Sequence, residues 1–215
     1  AHHALARRRR VCEAPPDAGG MSVEQELAAV IPYFPYKNLE RFYDMQGLLK
    51  HPALFQKACD TMADRYKEMG ITKVAGFEAR GFLFTPVAVR LGVPFIMLRK
   101  TGKMPNTVSS APYTKEYEGV DVMCMQRGAV VEGDKVLLID DLLATGGTLC
   151  SGIELVKSMG ASVIECGCLV ELKALKGHDR CIAAGATGAW GLLSEELLTV
   201  AAELPDNYVD DGTPH

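Results

Sequence analysis

Apolar residues recur along this chain at two spacings that alternate. Between Pro52 and Met69 they fall three or four positions apart, which predicts an amphipathic helix ending before Gly70. Short continuous apolar runs predict buried strands over 73–77, 94–98, 136–139 and 162–170, with helices over 81–91 and 147–159. Strands alternating with helices predict an α/β fold, a mainly parallel twisted sheet flanked by helices.

The first fifty residues follow a different pattern. Ser22 and Gln25 have capping-box spacing, which predicts a short helix over 22–31. Prolines among aromatic residues then exclude a regular helix and predict a loop that packs as a small hood. We expect one domain over 21–215, with the hood at about 21–50 and the core at about 51–200. Residues 1–20 are expected to be a disordered extension or a fusion remnant.

Composition and charge narrow the classes of protein. The 215 residues are 48% hydrophobic and 23% charged, with a net charge of -4, which is typical of a soluble globular domain. Residues 1–20 carry four arginines and two acids, so the rest of the chain is more acidic still. We expect no nucleic-acid partner and no membrane span, and any anionic ligand must be held by a local cluster of positive groups.

Seven cysteines without metal-ligand spacing predict reduced thiols and a cytoplasmic location. Cys166 and Cys168 fall on one face of a predicted strand and are expected to pack in the core.

The stretch from Val136 to Thr148 carries the clearest chemistry. A buried strand leads into Asp140 and Asp141 and then into a small turn, Ala-Thr-Gly-Gly-Thr, that opens a helix. Successive backbone N–H groups at such a turn suit a terminal phosphate, and paired carboxylates suit vicinal hydroxyls or a hydrated divalent metal. The nucleoside-triphosphatase loop and the dinucleotide fingerprint are both absent.

This stretch resembles the signature of the type I phosphoribosyltransferase family. The resemblance implies that Asp140 and Asp141 face the ribose hydroxyls of phosphoribosyl pyrophosphate. It implies that the 5-phosphate is held by Ala144, Thr145, Gly146, Gly147 and Thr148.

A second set of motifs narrows the resemblance to the adenine-using branch of that family. They are the segments 76–84, Arg99-Lys-x-x-Lys103, Tyr113-x-x-Glu116-Tyr117 and 169–177. The branch implies transfer of the phosphoribosyl group to adenine, giving AMP and pyrophosphate. Loss of pyrophosphate needs positive groups, and the candidates are Arg80, Arg99, Lys100 and Lys103.

The resemblance also implies the site of the base and of proton transfer. Phe42 and Leu172 would stack the adenine, with hood backbone groups near Arg41 reading its edge. The long polar segment 100–115 is predicted to be a lid that excludes water, followed by Glu116, which would handle a purine proton. Arg80 is the second catalytic candidate. The family further implies Mg²⁺ held by substrate and water, with no direct protein ligand, and a homodimer.

Two alternatives stay open at this stage. One is a sibling enzyme that uses hypoxanthine or guanine, because the hood sequence Arg41-Phe42-Tyr43-Asp44 departs from the usual pattern around the stacking residue. The other is a non-catalytic regulator that senses phosphoribosyl pyrophosphate.

Overall fold

The structure, a computed structural model, describes residues 20–36, 39–110, 113–114 and 120–203. Its helices are α1 (Val23–Ala28), α2 (Met45–Leu49), α3 (Pro52–Tyr66), α4 (Thr85–Leu91), α5 (Gly147–Ser158) and α6 (Gly177–Ala184). Its strands are β1 (Tyr33–Tyr36), β2 (Leu39–Tyr43), β3 (Lys73–Phe77), β4 (Phe95–Lys100), β5 (Thr107–Ser109), β6 (Tyr113–Thr114), β7 (Val120–Asp121), β8 (Met123–Gln126), β9 (Lys135–Leu143), β10 (Ser162–Glu171) and β11 (Ala189–Ser194).

One seven-stranded sheet organises these elements, in the order β11-β10-β9-β3-β4-β8-β5. The five strands from β11 to β4 are parallel to one another, and β8 and β5 add an antiparallel edge. The predicted fold class is therefore confirmed. Parallel strands place their carboxyl ends at one edge of the sheet, where open α/β folds bind ligands.

The sheet separates two hydrophobic cores. Along β9, Leu137 and Ile139 pack into one core, whereas Val136 and Leu138 pack into the other. The alternation follows from the two-residue period of a strand, and apolar residues on both faces explain the continuous run in the sequence. Cys166 and Cys168 are fully buried in the second core, as predicted. Within the described residues, no helix is both long and apolar enough to span a membrane.

The hood differs from the loop that the prolines predicted. β1 and β2 pair as an antiparallel hairpin, and α2 follows it directly. Pro35 is tolerated because the pairing register shifts between Phe34 and Tyr36, so the β1–β2 ladder is already irregular beside it. The capping box of Ser22 and Gln25 at α1 is confirmed, although the helix ends at Ala28.

Two further boundaries were predicted wrongly. The helix expected over 81–91 is a 3₁₀ turn, Arg80–Phe84, followed by α4, which has Pro86 in its first turn. The predicted lid is not loop throughout, because Thr107–Ser109 forms β5 and pairs with β8.

A bidentate ion pair between Arg65 and Glu165 joins α3 to β10. Arg65 Nε and Nη2 donate to the two carboxylate oxygens of Glu165 at 2.7 and 2.9 Å, and the guanidinium lies 4.6 Å from the ring centre of Trp190. The Glu165 side chain is only 9% exposed. Removal of Arg65 would leave the buried negative charge of Glu165 without its compensating positive charge.

We therefore predict that Arg65→Met lowers the free energy of unfolding by about 2–4 kcal/mol, measured by urea unfolding with circular dichroism. The matched control is Arg90→Met, which removes an ion pair between Asp60 and an arginine side chain that is 50% exposed, and should cost less than about 1 kcal/mol. A loss for Arg65→Met no larger than that of the control would contradict this assignment.

Candidate active site

Four neighbouring parallel strands end at the same edge of the sheet and carry the polar residues predicted from the sequence. β3 leads into Glu78 and Arg80, β4 ends at Arg99 and Lys100, and β9 contains Asp140 and Asp141. β10 ends at Glu171, next to Leu172. Because the strand order is β10-β9-β3-β4, residues from distant parts of the sequence meet at one site.

Asp140 and Asp141 lie inside β9 rather than after it. The strand continues to Leu143, pairing with β10 up to Glu171. Adjacent residues of a strand point to opposite faces, yet the two carboxyl groups remain close enough for each to affect the pKa of the other. The Asp141 side chain is 4% exposed, and the Asp141 N–H donates to Asp140 Oδ1 at 3.0 Å.

Arg80 supplies the positive charge nearest to this pair. Its Nε lies 3.0 Å from Asp141 Oδ2, yet that oxygen accepts no aligned hydrogen bond, so the contact is an ion pair. The turn that carries Arg80 comes very close to β9, since a Cβ on Gly81 would lie 2.8 Å from Ile139 O. Only glycine allows this approach, which explains why it follows Arg80.

The two carboxyl groups are difficult to ionise in the ligand-free protein. Burial and then the neighbouring Asp141 raise the pKa of Asp140 well above its ordinary value. Burial also raises the pKa of Asp141, although the charge of Arg80 opposes it. A ligand that brings positive charge or hydrogen-bond donors to the pair would therefore be stabilised there.

The small turn after β9 packs against the start of α6. Gly146 begins α5 from a left-handed conformation, with φ of 80°, which glycine adopts without strain. A Cβ on Gly177 would lie 2.2 Å from Ala144 O, so backbone meets backbone there. Arg180 Nη1 donates to Thr145 O at 3.0 Å. No sequence signal predicted that α6 supports this turn.

Glu78 holds the positive residues of the neighbouring strand. It accepts hydrogen bonds from Arg99 Nε at 2.8 Å and from the Lys100 N–H at 2.7 Å. Burial acts to raise the pKa of Glu78, but the Lys100 N–H and the Arg99 guanidinium outweigh it and lower that pKa. Arg99 Nη1 also donates to Lys103 O at 3.1 Å. Of the four predicted positive residues, Arg99 is thus held by an acid whose role the sequence did not reveal, whereas Arg80 pairs with Asp141.

The hood contributes Phe42 to the same region. Its ring contacts Phe34, with centroids 5.4 Å apart, and the Arg80 guanidinium lies 5.5 Å from the ring centre. Arg41 precedes Phe42 on β2, and its guanidinium lies over the ring of Tyr33 instead, 4.8 Å from the ring centre. The Arg41 side chain therefore belongs to the other face of the hairpin.

Two further predicted residues complete the account. Leu172 follows β10, packs against the first core, and donates its N–H to Leu143 O at 2.8 Å, next to the small turn. Glu116 lies outside the described residues.

The residues present fit a metal ion held through water and substrate rather than by protein ligands alone. The described part of the chain contains no cluster of three or more His, Cys, Asp or Glu side chains placed to hold a metal. Asp141 Oδ2 is nevertheless buried and accepts no hydrogen bond. Because Arg80 Nε lies 3.0 Å from this oxygen, a hydrated Mg²⁺, which usually keeps several waters, would fit beside it once Arg80 moves.

Comparison with known proteins shows which family model and which relatives the chain matches. A family model described as phosphoribosyl transferase domain matches residues 44–185. Adenine phosphoribosyltransferase 1 of Triticum aestivum is 46% identical over 151 residues, covering 70% of this chain and 82% of that protein. Adenine phosphoribosyltransferase of Photorhabdus laumondii is also 46% identical over 151 residues, covering 70% of this chain and 81% of that protein.

Solved structures of adenine phosphoribosyltransferases are also similar to this chain. A crystal structure of adenine phosphoribosyl transferase from Trypanosoma brucei, in complex with AMP, pyrophosphate and ribose-5-phosphate, superposes with a TM-score of 0.78 at 31% identity, covering 86% of each chain. The Giardia lamblia enzyme complexed with 9-deazaadenine gives a TM-score of 0.74 at 37% identity, covering 82% of this chain and 99% of that one.

The raised pKa values predict that the site destabilises the ligand-free protein. A carboxyl whose pKa is raised by folding costs nothing below its ordinary value of 3.8 and becomes destabilising as the pH rises above it. Asp140→Asn keeps the oxygen that accepts from the Asp141 N–H and removes the charge. We predict that it stabilises the ligand-free protein at pH 7 by about 0.5–2 kcal/mol.

Urea unfolding at pH 7 and at pH 3.5 measures this effect, and the gain should disappear at the lower pH. Glu154→Gln removes an exposed charge on α5 and should change stability by less than about 0.5 kcal/mol at either pH. If Asp140→Asn proves less stable than the parent at pH 7, the account of the pair is wrong.

Proposed function

The chain belongs to the phosphoribosyltransferase family, in its adenine phosphoribosyltransferase branch, and from that premise we propose its reaction and the roles of its residues. It transfers the 5-phosphoribosyl group from phosphoribosyl pyrophosphate to adenine, giving AMP and pyrophosphate, as a purine salvage enzyme. One observation carries the assignment of the site. A carboxylate pair, a glycine-rich turn and an arginine cluster meet at one sheet edge.

The phosphoribosyl group fits along the end of β9. Backbone N–H groups of Ala144, Thr145, Gly146, Gly147 and Thr148 bind the 5-phosphate at the start of α5, where the helix dipole also favours an anion. Asp140 and Asp141 accept hydrogen bonds from the two ribose hydroxyls. These donors relieve the electrostatic cost of ionising the pair.

The leaving pyrophosphate lies over the positive cluster. Arg80, Arg99, Lys100 and Lys103 stabilise the charge that its oxygens retain as the bond to C1 breaks. Glu78 orients Arg99 for this role, because it fixes Nε while Nη1 is bound to Lys103 O. Asp140 and Asp141 would hold a hydrated Mg²⁺ through water, and this ion would supply positive charge to offset that of the leaving group.

Arg80 links the two halves of the substrate. In the ligand-free protein it pairs with Asp141 and lies beneath Phe42. When the pyrophosphate binds, Arg80 leaves the Asp141 carboxylate and binds phosphate oxygens, which can accept two parallel hydrogen bonds from one guanidinium. The exchange frees Asp141 for the ribose.

The base enters between the hood and the end of β10. Phe42 and Leu172 stack the purine, and backbone groups beside Arg41 read its edge, since the Arg41 side chain faces away. A site that donates to adenine N1 and accepts from its amino group would leave groups unpaired with hypoxanthine. Glu116 handles the purine proton when the lid closes and excludes water.

Assembly and location complete the proposal. Membership of the family supports a homodimer, which light scattering of the purified protein would detect as twice the mass of one chain. The described cysteines are free thiols, which supports the cytoplasm or another reducing compartment.

We predict that pyrophosphate is released with adenine, and at least 100-fold more slowly with hypoxanthine or guanine, in the presence of Mg²⁺ and phosphoribosyl pyrophosphate. A coupled pyrophosphate assay measures this directly. Faster release with hypoxanthine or guanine would overturn the choice of base. Absence of release with all three bases would favour the phosphoribosyl-pyrophosphate sensor.

Glu116→Gln should lower kcat by about 10²–10⁴-fold and change the Kd for phosphoribosyl pyrophosphate by less than about threefold, because only proton transfer is removed. Glu118→Gln removes the same charge two residues further along the chain and serves as the matched control. Equal losses of kcat for the two variants would exclude a specific proton-handling role for Glu116.

A further inference from the structure

Arg180 contacts the glycine-rich turn from α6, a helix to which the roles above assign no ligand. Its Nη1 donates to Thr145 O at 3.0 Å, across 35 residues of sequence. The thiol of Cys150, in the first turn of α5, donates to Arg180 O at 3.6 Å. The same residue therefore contacts the turn through its side chain and α5 through its backbone.

The contact with Thr145 O fixes the orientation of a single peptide group. The C=O of Thr145 and the N–H of Gly146 belong to one planar trans peptide, so they point in opposite directions. An oxygen that points to the guanidinium of Arg180 therefore places the Gly146 N–H on the side away from that guanidinium. The peptide after Gly146 is fixed separately, because the Cys150 N–H donates to Gly146 O at 2.9 Å.

Gly146 makes this orientation easy to lose. It has φ of 80° and ψ of 5°, and glycine reaches both signs of φ at little cost. Rotation of the preceding peptide would turn its N–H away and present a carbonyl oxygen to the anion. Gly177 limits shifts of the whole turn by close backbone packing, but close packing does not select one orientation of this peptide.

We propose that Arg180 is a positioning residue for the 5-phosphate: it holds the Thr145–Gly146 peptide so that the Gly146 N–H faces the phosphate before the ligand arrives. This inference rests on the proposed function, which supplies the ligand. The turn is thereby preorganised, so no binding free energy is spent on ordering it when the ligand binds. The effect falls on affinity for 5-phosphates and not on the chemical step.

The fold does not depend on this contact in the same way. Arg180 is exposed, and exposed polar contacts contribute little to the free energy of unfolding. Lys157 offers a matched comparison, because its Nζ donates to Ala184 O at 2.9 Å. Like the Arg180 contact, this bond joins a basic side chain to a backbone carbonyl oxygen. It runs from α5 to α6, at the opposite end of α5 from the turn.

The test compares Arg180→Ala with Lys157→Ala, each of which removes one positive charge. For Arg180→Ala we expect KM for phosphoribosyl pyrophosphate and Kd for ribose 5-phosphate to rise about 5- to 30-fold. We expect kcat and the Kd for inorganic pyrophosphate to stay within about twofold. Lys157→Ala should leave all four quantities within about twofold of the parent.

Arg180→Lys keeps the charge and one donor without the planar fork of arginine, and is expected to give an intermediate Kd for ribose 5-phosphate. It also supplies the comparison if Arg180→Ala does not fold. Equal weakening of ribose 5-phosphate and pyrophosphate would show a general charge effect and overturn the proposal. So would Arg180 variants that match Lys157→Ala. Binding of ribose 5-phosphate needs no turnover, so failure of the proposed function would appear separately, as absence of AMP formation by the parent protein.

Discussion

Two carboxylates side by side in a buried strand are the constraint on which the rest of this site depends. Burial and mutual repulsion make Asp140 and Asp141 costly to ionise without a partner. Arg80 supplies positive charge from the turn that follows β3, at 3.0 Å from Asp141, and Gly81 allows the backbone of this turn to reach β9. The ligand-free site is therefore held together by groups that the substrate is expected to replace.

The same logic explains how an acidic protein binds a highly charged anion. The net charge of -4 gives no general attraction, so affinity must come from groups concentrated at one sheet edge. Glu78 concentrates them by binding both Arg99 and the backbone of Lys100. An acid thus holds Arg99 beside the backbone of Lys100, and the glycine-rich turn adds backbone dipoles that carry no net charge.

The sequence predicted features that depend on neighbours along the chain. The predicted strands β3, β4, β9 and β10, the helices α3 and α5, and the turn from Ala144 to Thr148 have local patterns that are kept in the packed fold. It failed where distant segments decide the outcome. The β1–β2 hairpin forms although Pro35 lies within it, because the pairing register shifts beside the proline and tolerates its missing N–H. The Arg180–Thr145 and Glu78–Arg99 contacts join residues 35 and 21 positions apart, and no periodicity encodes such pairs.

The central claim is that Arg80 exchanges Asp141 for the pyrophosphate when the phosphoribosyl ligand binds. A crystal structure of this protein with AMP, pyrophosphate and Mg²⁺ tests it most directly. The account predicts the 5-phosphate on the N–H groups of residues 144–148, the ribose hydroxyls on Asp140 and Asp141, and the Arg80 guanidinium on pyrophosphate oxygens. A structure with both ligands bound and Arg80 still paired with Asp141, or with the ribose away from the two acids, would contradict it.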